Sequence, residues 1–359
     1  MRNTIKGSLL HWGKNTGLFA LCDTLTRRGL RILCYHGTAL SEEHQFLPKL
    51  FMSPETFEAR LRILADRRHP VLSLADALHG LRTGDLPSRA VVITIDDGFY
   101  GTYRLAWPML QRYGFPATIY STSYYSVKEH PVFGLVVEYM LWKTHKTSLQ
   151  LDKLELGLPL QGQVILTDPR ERKRLATLID EHGDTKCTED ERVAIMQRLG
   201  QLLDIDYAAL AASRMLSLMT LNELHELALA GADIQAHTHR HRFPIEERAA
   251  RRELDDNRRA LEPALGRRLE HFCYPNGEWL EEQWPWLEDE GMLSATTCER
   301  GFNYPLTPRF ALRRLLDGEH LGEIEFEAEL SGYLELLRRF RTSLRGLEQS
   351  RPWRQSRPR

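Results

Sequence analysis

No run of the 359-residue chain approaches the roughly 18 consecutive apolar residues that a membrane-spanning helix requires. The N-terminus carries Arg2 and Lys6, but its apolar stretches are broken by Lys14, Asn15, Asp23, Arg27 and Arg28, unlike a cleavable export signal. The expectation is an uncleaved chain, cytoplasmic or peripheral to a membrane. Cysteine is scarce. Cys22, Cys34, Cys187, Cys273 and Cys298 are odd in number and scattered without CxxC spacing, which fits neither a disulfide framework nor a zinc ribbon and favours a reducing compartment. Neither sign of charge predominates: 48 Lys+Arg against 49 Asp+Glu leave a net charge of -1, so no global field attracts nucleic acid or an anionic surface. Partners must be read from local sites, and no nucleic-acid partner is expected. With 24 Gly, 17 Pro, 42% hydrophobic and 27% charged residues, collagen, coiled coil and wholesale disorder are excluded.

Residues 30–35 (LRILCY) and 90–95 (AVVITI) are short apolar runs that end in polar residues, His36-Gly37 and Asp96-Asp97-Gly98, and read as buried strands. Between them Ser53-Pro54-Glu55 opens one helix, with Phe57, Leu61 and Leu64 at helical spacing, and Ser73 with Asp76 opens a second. A helical stretch over 105–113 leads to a third strand at 115–120 (FPATIY), which is βαβ logic and predicts a parallel sheet. From about 126 to 218 strand signals become sparse, and Thr188 with Glu191 forms a capping box, so this block reads as a mostly helical insertion. Thr220 with Glu223 caps a helix ending at Gly231, after which 232–236 is a strand delivering His237. Residues 271–274, 293–297 and 310–315 complete about seven strands. From Arg338 the tail holds eight arginines and one acid, Glu348, with Pro352 and Pro358, and is expected to fray. Leu9, Trp12, Leu18, Phe19 and Leu21 near the N-terminus form either a helix packed on the domain or a weak peripheral membrane contact.

Two segments carry chemistry. In Thr94 to Phe99, adjacent carboxylates at the end of an apolar strand are costly near a core unless a cation or hydrogen bonds compensate them; a strand-end turn with helix-capping acids is the alternative. In His237-Thr238-His239-Arg240-His241, imidazoles four residues apart after a strand can meet one ion if the chain turns, whereas surface histidines or a phosphate-contacting loop would need no metal. One carboxylate with two imidazoles leaves open coordination positions, as a catalytic metal requires.

The pair of segments resembles the polysaccharide deacetylases of carbohydrate esterase family 4, whose first motifs read T-F-D-D-G and H-[S/T]-x-x-H, here Thr94 to Gly98 and His237 to His241. The resemblance implies a deformed (β/α) barrel, a divalent metal, usually zinc, and hydrolysis of an N-acetyl group from an amino sugar. It implies Asp96 as general base, Asp97, His237 and His241 as metal ligands, and His239 and Arg240 as turn residues. The usual C-terminal L-x-H acid is missing. A permuted branch that includes poly-N-acetylglucosamine deacetylases places that histidine after an N-terminal strand ending in Y-H, which Cys34 to Gly37 resembles, so His36 is the implied general acid. The third motif, R-x-P-Y-G or similar, corresponds to Cys273 to Gly277; the turn survives and implies an oxyanion donor at the backbone of Asn276. Cys273 stands where the motif arginine would, and Arg309 or Arg313 is the candidate substitute. Glu299 is a weak candidate partner for the acid histidine. Cys273 and Cys298 read as structural thiols, and Trp279, Trp284 and Trp286 either stack on sugars or pack on a helix.

The resulting expectation is an N-terminal helical segment (1–29), a barrel over 30–320 interrupted by the insertion, and a C-terminal helix with a basic tail (321–359). Its function would be release of an N-acetyl group from a polysaccharide, oligosaccharide or lipid-linked glycan of the exopolysaccharide or cell-envelope kind. Substrate choice and oligomeric state have no motif. A catalytically silent carbohydrate-binding relative is the rival; a non-haem iron oxygenase is disfavoured because its H-x-D pair is missing.

Overall fold

Seven of the apolar runs become the strands of one closed barrel in which every neighbouring pair is parallel. A computed structural model describes residues 2–154 and 162–349; the tail beyond 349, with Pro352 and Pro358, lies outside the described residues. The strands are β1 (Arg31–Tyr35), β2 (Val91–Ile95), β3 (Ala117–Ser121), β4 (Asp233–Ala236), β5 (His271–Cys273), β6 (Ser294–Arg300) and β7 (Leu312–Leu316). They pair in chain order, and β7 closes on β1. Because helices cover the outside and side chains fill the inside, strands β1, β2 and β3 are buried at every position, which is why they read as continuous apolar runs rather than alternating ones. The deformed (β/α) barrel expected from the sequence is the fold observed.

The helices begin where the side chains dictate. Ser53 accepts from the Thr56 N–H ahead of Pro54, Ser73 accepts from the Asp76 N–H, and Thr188 and Thr220 form reciprocal capping boxes with Glu191 and Glu223. Between β3 and β4 lie the helices Phe133–Lys143, Pro169–Lys186 and Glu189–Leu203, together with a small antiparallel hairpin (Ser148–Gln150 with Gln163–Ile165) that the sparse strand signals did not announce. These helices bury their own cluster, including Phe133, Met140, Ile179, Met196 and Leu199, and it continues into Phe51 and Phe99 beside the barrel. Phe99 follows the Asp96-Asp97-Gly98 turn and bridges to Leu218, so the insertion braces the first motif.

At the N-terminal edge of the barrel, the helices Arg2–Asn15 and Leu18–Thr26 lead directly into β1. Arg31 is fully buried there. Its guanidinium donates to the Leu330 and Gly29 carbonyls and to Asp23, and lies 4.3 Å from the Phe302 ring centroid. Those contacts supply the partners a buried charge needs.

His69 sits at the same edge, buried, with Nδ1 3.0 Å from the Arg89 carbonyl. A carbonyl only accepts, so Nδ1 carries the proton of a neutral ring. Burial pulls its pKa from 6.5 down to about 4. Between those values the unfolded chain binds a proton that the native ring does not, so stability is full above the unfolded pKa and is lost as pH falls toward the native one. Lowering the pH from about 7 to about 5 is expected to cost roughly 2 kcal/mol through this residue. Urea unfolding of the His69→Gln variant should show a correspondingly smaller loss over the same range.

Candidate active site

The two motifs meet because strand register brings their ends together. Tyr35 pairs with Ile95 across β1 and β2, so the next residues, His36 and Asp96, emerge side by side, and His36 Nε2 lies 3.8 Å from Asp96 Oδ2. Ala236 pairs with Phe272 across β4 and β5, which sets His237 beside Cys273. All of these positions lie at the C-terminal edge of a parallel barrel, the edge at which such folds carry their chemistry.

Asp97 Oδ1 is buried and lacks a conventional hydrogen bond; His237 Nε2 and His241 Nε2 each stand 3.3 Å from it. The three residues form a cluster with metal-ligand spacing. His237 Nδ1 is 2.8 Å from the Cys273 carbonyl, which only accepts, so Nδ1–H donates there and the Nε2 lone pair is turned toward Asp97. Burial pushes the Asp97 carboxyl up, but imidazole protons directed at it from His237 and His241, when those rings are charged, outweigh burial and hold it well below the usual range. An orphaned carboxylate oxygen facing two imidazole nitrogens, with nitrogen and oxygen donors only, fits a divalent cation such as zinc. His239 is outside this cluster, with Nδ1 2.8 Å from Ser123 Oγ.

The backbone is held in unusual conformations to achieve this. Asp97 (φ 69), Thr238 (φ 64), His241 (φ 54) and Asn276 (φ 58) are non-glycine residues in the left-handed region. Each such residue costs of order 1–3 kcal/mol and persists only where surrounding structure enforces it. Around Thr238 and His241 the enforcement comes from the helix Glu247–Leu265. Asn257, fully buried, donates Nδ2 to the Ser121 and Thr238 carbonyls and to Ser123 Oγ. Glu253 accepts from the Arg240 N–H, Arg240 Nη1 and Arg242 Nε. Gly98 (φ 86) has no alternative, since a Cβ there would lie 2.6 Å from Ser121 Oγ.

Asp96 is ion-paired from inside the barrel. Arg314 Nη1 donates to Oδ1 and Nη2 to Oδ2, both at 2.7 Å, while its Nε donates to the Thr297 carbonyl and Nη1 also to Thr94 Oγ1. Burial would raise the Asp96 pKa, but the Arg314 charge and hydrogen bonds, with His36 nearby, bring it down to about 2. This corrects the sequence reading, in which Arg309 or Arg313 stood in for the motif arginine. Arg309 pairs with Glu288 and Arg313 with Glu299, both on the outside. A strand turns successive side chains to opposite faces, so in β7 Arg313 points out and its neighbour Arg314 points into the core. Two adjacent arginines inside the run Leu312 to Leu316 were the available signal: one of them had to be buried.

The Cys34 and Cys273 sulfurs lie 3.6 and 3.4 Å from Asp96 Oδ2, and burial raises both thiols well above their ordinary pKa, so they are neutral donors rather than nucleophiles. Glu299 is exposed and does not adjoin His36, contrary to its candidacy; His36 Nδ1 is buried with no hydrogen-bond partner, and the carboxylate beside the ring is Asp96. Asn276 lies exposed in the turn Pro275–Gly277 that follows β5. Trp279 stacks on Trp284, with Tyr274 6.3 Å away, and both tryptophans are partly buried against the core.

Residues 207–294 match the polysaccharide deacetylase family, a stretch that contains the His237–His241 arm and strands β4 and β5. YxkH of Bacillus subtilis (strain 168), whose name carries the polysaccharide deacetylase assignment, is 35% identical over 92 residues, 25% of this chain and 31% of that protein, so the match spans about a third of the curated relative. Among solved structures, the fold is shared with the Streptococcus pyogenes deacetylase PplD in complex with acetate (16% identity, TM-score 0.54, covering 84% of this chain and 98% of that one). It is shared also with IcaB from Ammonifex degensii (16% identity, TM-score 0.52, covering 86% and 97%). The histidine arm therefore lies within the stretch that matches the polysaccharide deacetylase family, and His36, Asp96 and Asp97 are supplied by other strands of the same barrel.

Proposed function

We propose that this chain is a metal-dependent hydrolase that removes an N-acetyl group from an amino sugar within a glycan. The observation that carries the reading is the convergence of Asp97, His237 and His241 on one point, with a second, separately paired carboxylate, Asp96, beside them. A divalent cation, most simply zinc, would polarise the acetamide carbonyl and acidify a water molecule. The protein's own residues do the rest. Asp96, ionised at any working pH and aimed by Arg314, accepts the proton of the attacking water as its oxygen bonds to the acetyl carbon. His36, 20% exposed with Nε2 3.8 Å from Asp96 Oδ2, donates a proton to the amine nitrogen as the C–N bond breaks, leaving acetate and a free amino sugar. The backbone at Asn276 is assigned to the oxyanion.

Acetate release from N-acetylated glucosamine oligomers is expected to vanish on chelation and to return when zinc is added back. If the zinc-loaded protein binds such glycans but frees no acyl group from any of them, the silent binding-module reading replaces this one. Mass spectrometry of cell-envelope glycans with and without the active protein, scoring loss of one acetyl mass, then identifies the polymer.

A further inference from the structure

The net charge of -1 conceals a sharp division. Residues 1–30 hold five Lys/Arg against one acid, Asp23, and residues 338–359 hold eight arginines against Glu348 alone. These 52 residues therefore carry +11, and the remainder of the chain carries -12. The helix Tyr333–Gln349 packs on Leu18–Thr26, with the Phe19 and Tyr333 rings 5.4 Å apart, while Lys14, Arg338 and Arg339 are paired with Glu327, Glu329 and Glu335.

The N-terminal hairpin also has more apolar surface than its own packing uses. Leu10, Phe19 and Cys22 are buried against the domain, which satisfies one face. Leu9 and Trp12, three residues apart, remain 60% and 63% exposed, and Leu21 and Leu25, four apart, remain 56% and 66% exposed. Phe340, on the adjoining helix, is 62% exposed. Single exposed apolar residues need no explanation, but pairs at helical spacing on two joined helices make a second apolar face. Arg27 and Arg28, in the turn that follows Leu18–Thr26, and Arg341, on the C-terminal helix, are exposed.

We propose that this hairpin, with the start of the C-terminal helix, is a docking surface for an anionic lipid bilayer. It would lie in the interface with Leu9, Trp12, Leu21, Leu25 and Phe340 among the acyl chains and the basic residues at the headgroups, as peripheral amphipathic helices do. A second copy of the chain fits less well, because a two-fold contact sets this patch against itself and so places like charge on like charge. No helix among the described residues is long and apolar enough to cross a membrane, so the contact is superficial. The hairpin adjoins the N-terminal edge of the barrel, whereas Asp97 and its partners occupy the C-terminal edge. A bilayer on this surface leaves the candidate active site directed toward water.

The test is co-sedimentation of the full chain with phosphatidylcholine vesicles, with and without phosphatidylglycerol. Binding is expected to be at least about tenfold stronger to the anionic vesicles and to weaken with salt. The double variant Trp12→Glu/Leu25→Glu should lose at least about tenfold in binding while its circular dichroism, zinc content and acetate release from a soluble oligomer stay as in the parent. Absence of wild-type binding to anionic vesicles, or equal binding by the variant, overturns the proposal. So does a lipid-free dimer, seen by sedimentation velocity, that the same substitutions dissolve. Acetate release is read separately, so failure of lipid binding leaves the hydrolase reading intact.

Discussion

The Asp96→Asn variant is expected to retain zinc at the wild-type stoichiometry and to release acetate about 10²–10⁴ times more slowly, the usual contribution of a positioned general base. The separation of the two effects follows from the geometry. Asp97, His237 and His241 form a cluster of nitrogen and oxygen ligands, whereas Asp96, although it too lies within ligand spacing of His237 and Cys273, is committed to Arg314, its oxygens each 2.7 Å from a guanidinium nitrogen. An amide in place of the carboxylate keeps the side chain's shape but cannot accept the proton, so kcat should fall more than KM rises. Metal analysis of the purified variant alongside its kinetics checks the point. Unchanged turnover would remove Asp96 from the mechanism, and loss of zinc would mean that the two carboxylates share the ion.

Replacing Arg314 is expected to produce the largest change in stability. Arg314 and Asp96 are both buried, and their bidentate pair is the principal compensation for either charge. Removing one partner of such a pair typically costs about 3–5 kcal/mol, because the other is left charged in a poorly solvating interior. Arg314→Met should therefore unfold at markedly lower urea concentration. The double variant Asp96→Asn/Arg314→Met should recover part of the loss, since no unpaired charge remains. A double-mutant cycle measures the coupling. Arg314→Lys keeps the charge but loses the planar fork that holds both oxygens; it should fold and yet release acetate far more slowly than wild type. Wild-type rates in that variant would show that the orientation of Asp96 is set by something else, such as the Cys34 and Cys273 thiols.

Much of this site could be read locally. Strand ends are marked by where an apolar run stops, so His36, Asp96-Asp97 and His237 were each placed one residue beyond a strand, and the structure has them there. The caps at Ser53, Ser73, Thr188 and Thr220 are contacts across three residues and were equally accessible. Arg314 was overlooked because its role depends on which face of β7 looks inward. One position of parity exchanges a surface ion pair for the buried partner of the base. Asn257 and Glu253 were overlooked for a different reason. They lie on a helix with ordinary polar spacing, and their work is done on backbone groups of segments distant in sequence, Asn257 reaching back 136 residues to Ser121.

The amino-acid sequence alone determined the alternation of strands and helices, the polar strand ends and the pairing of a double aspartate with a histidine arm, because these are encoded in periodicities and spacings of a few residues. Closure of the barrel determined the remainder: that Arg314 rather than Arg313 meets Asp96, and that Glu299 stays outside. Those outcomes depend on strand register and side-chain parity summed around a closed ring, and a ring closes only when all of its members are in place.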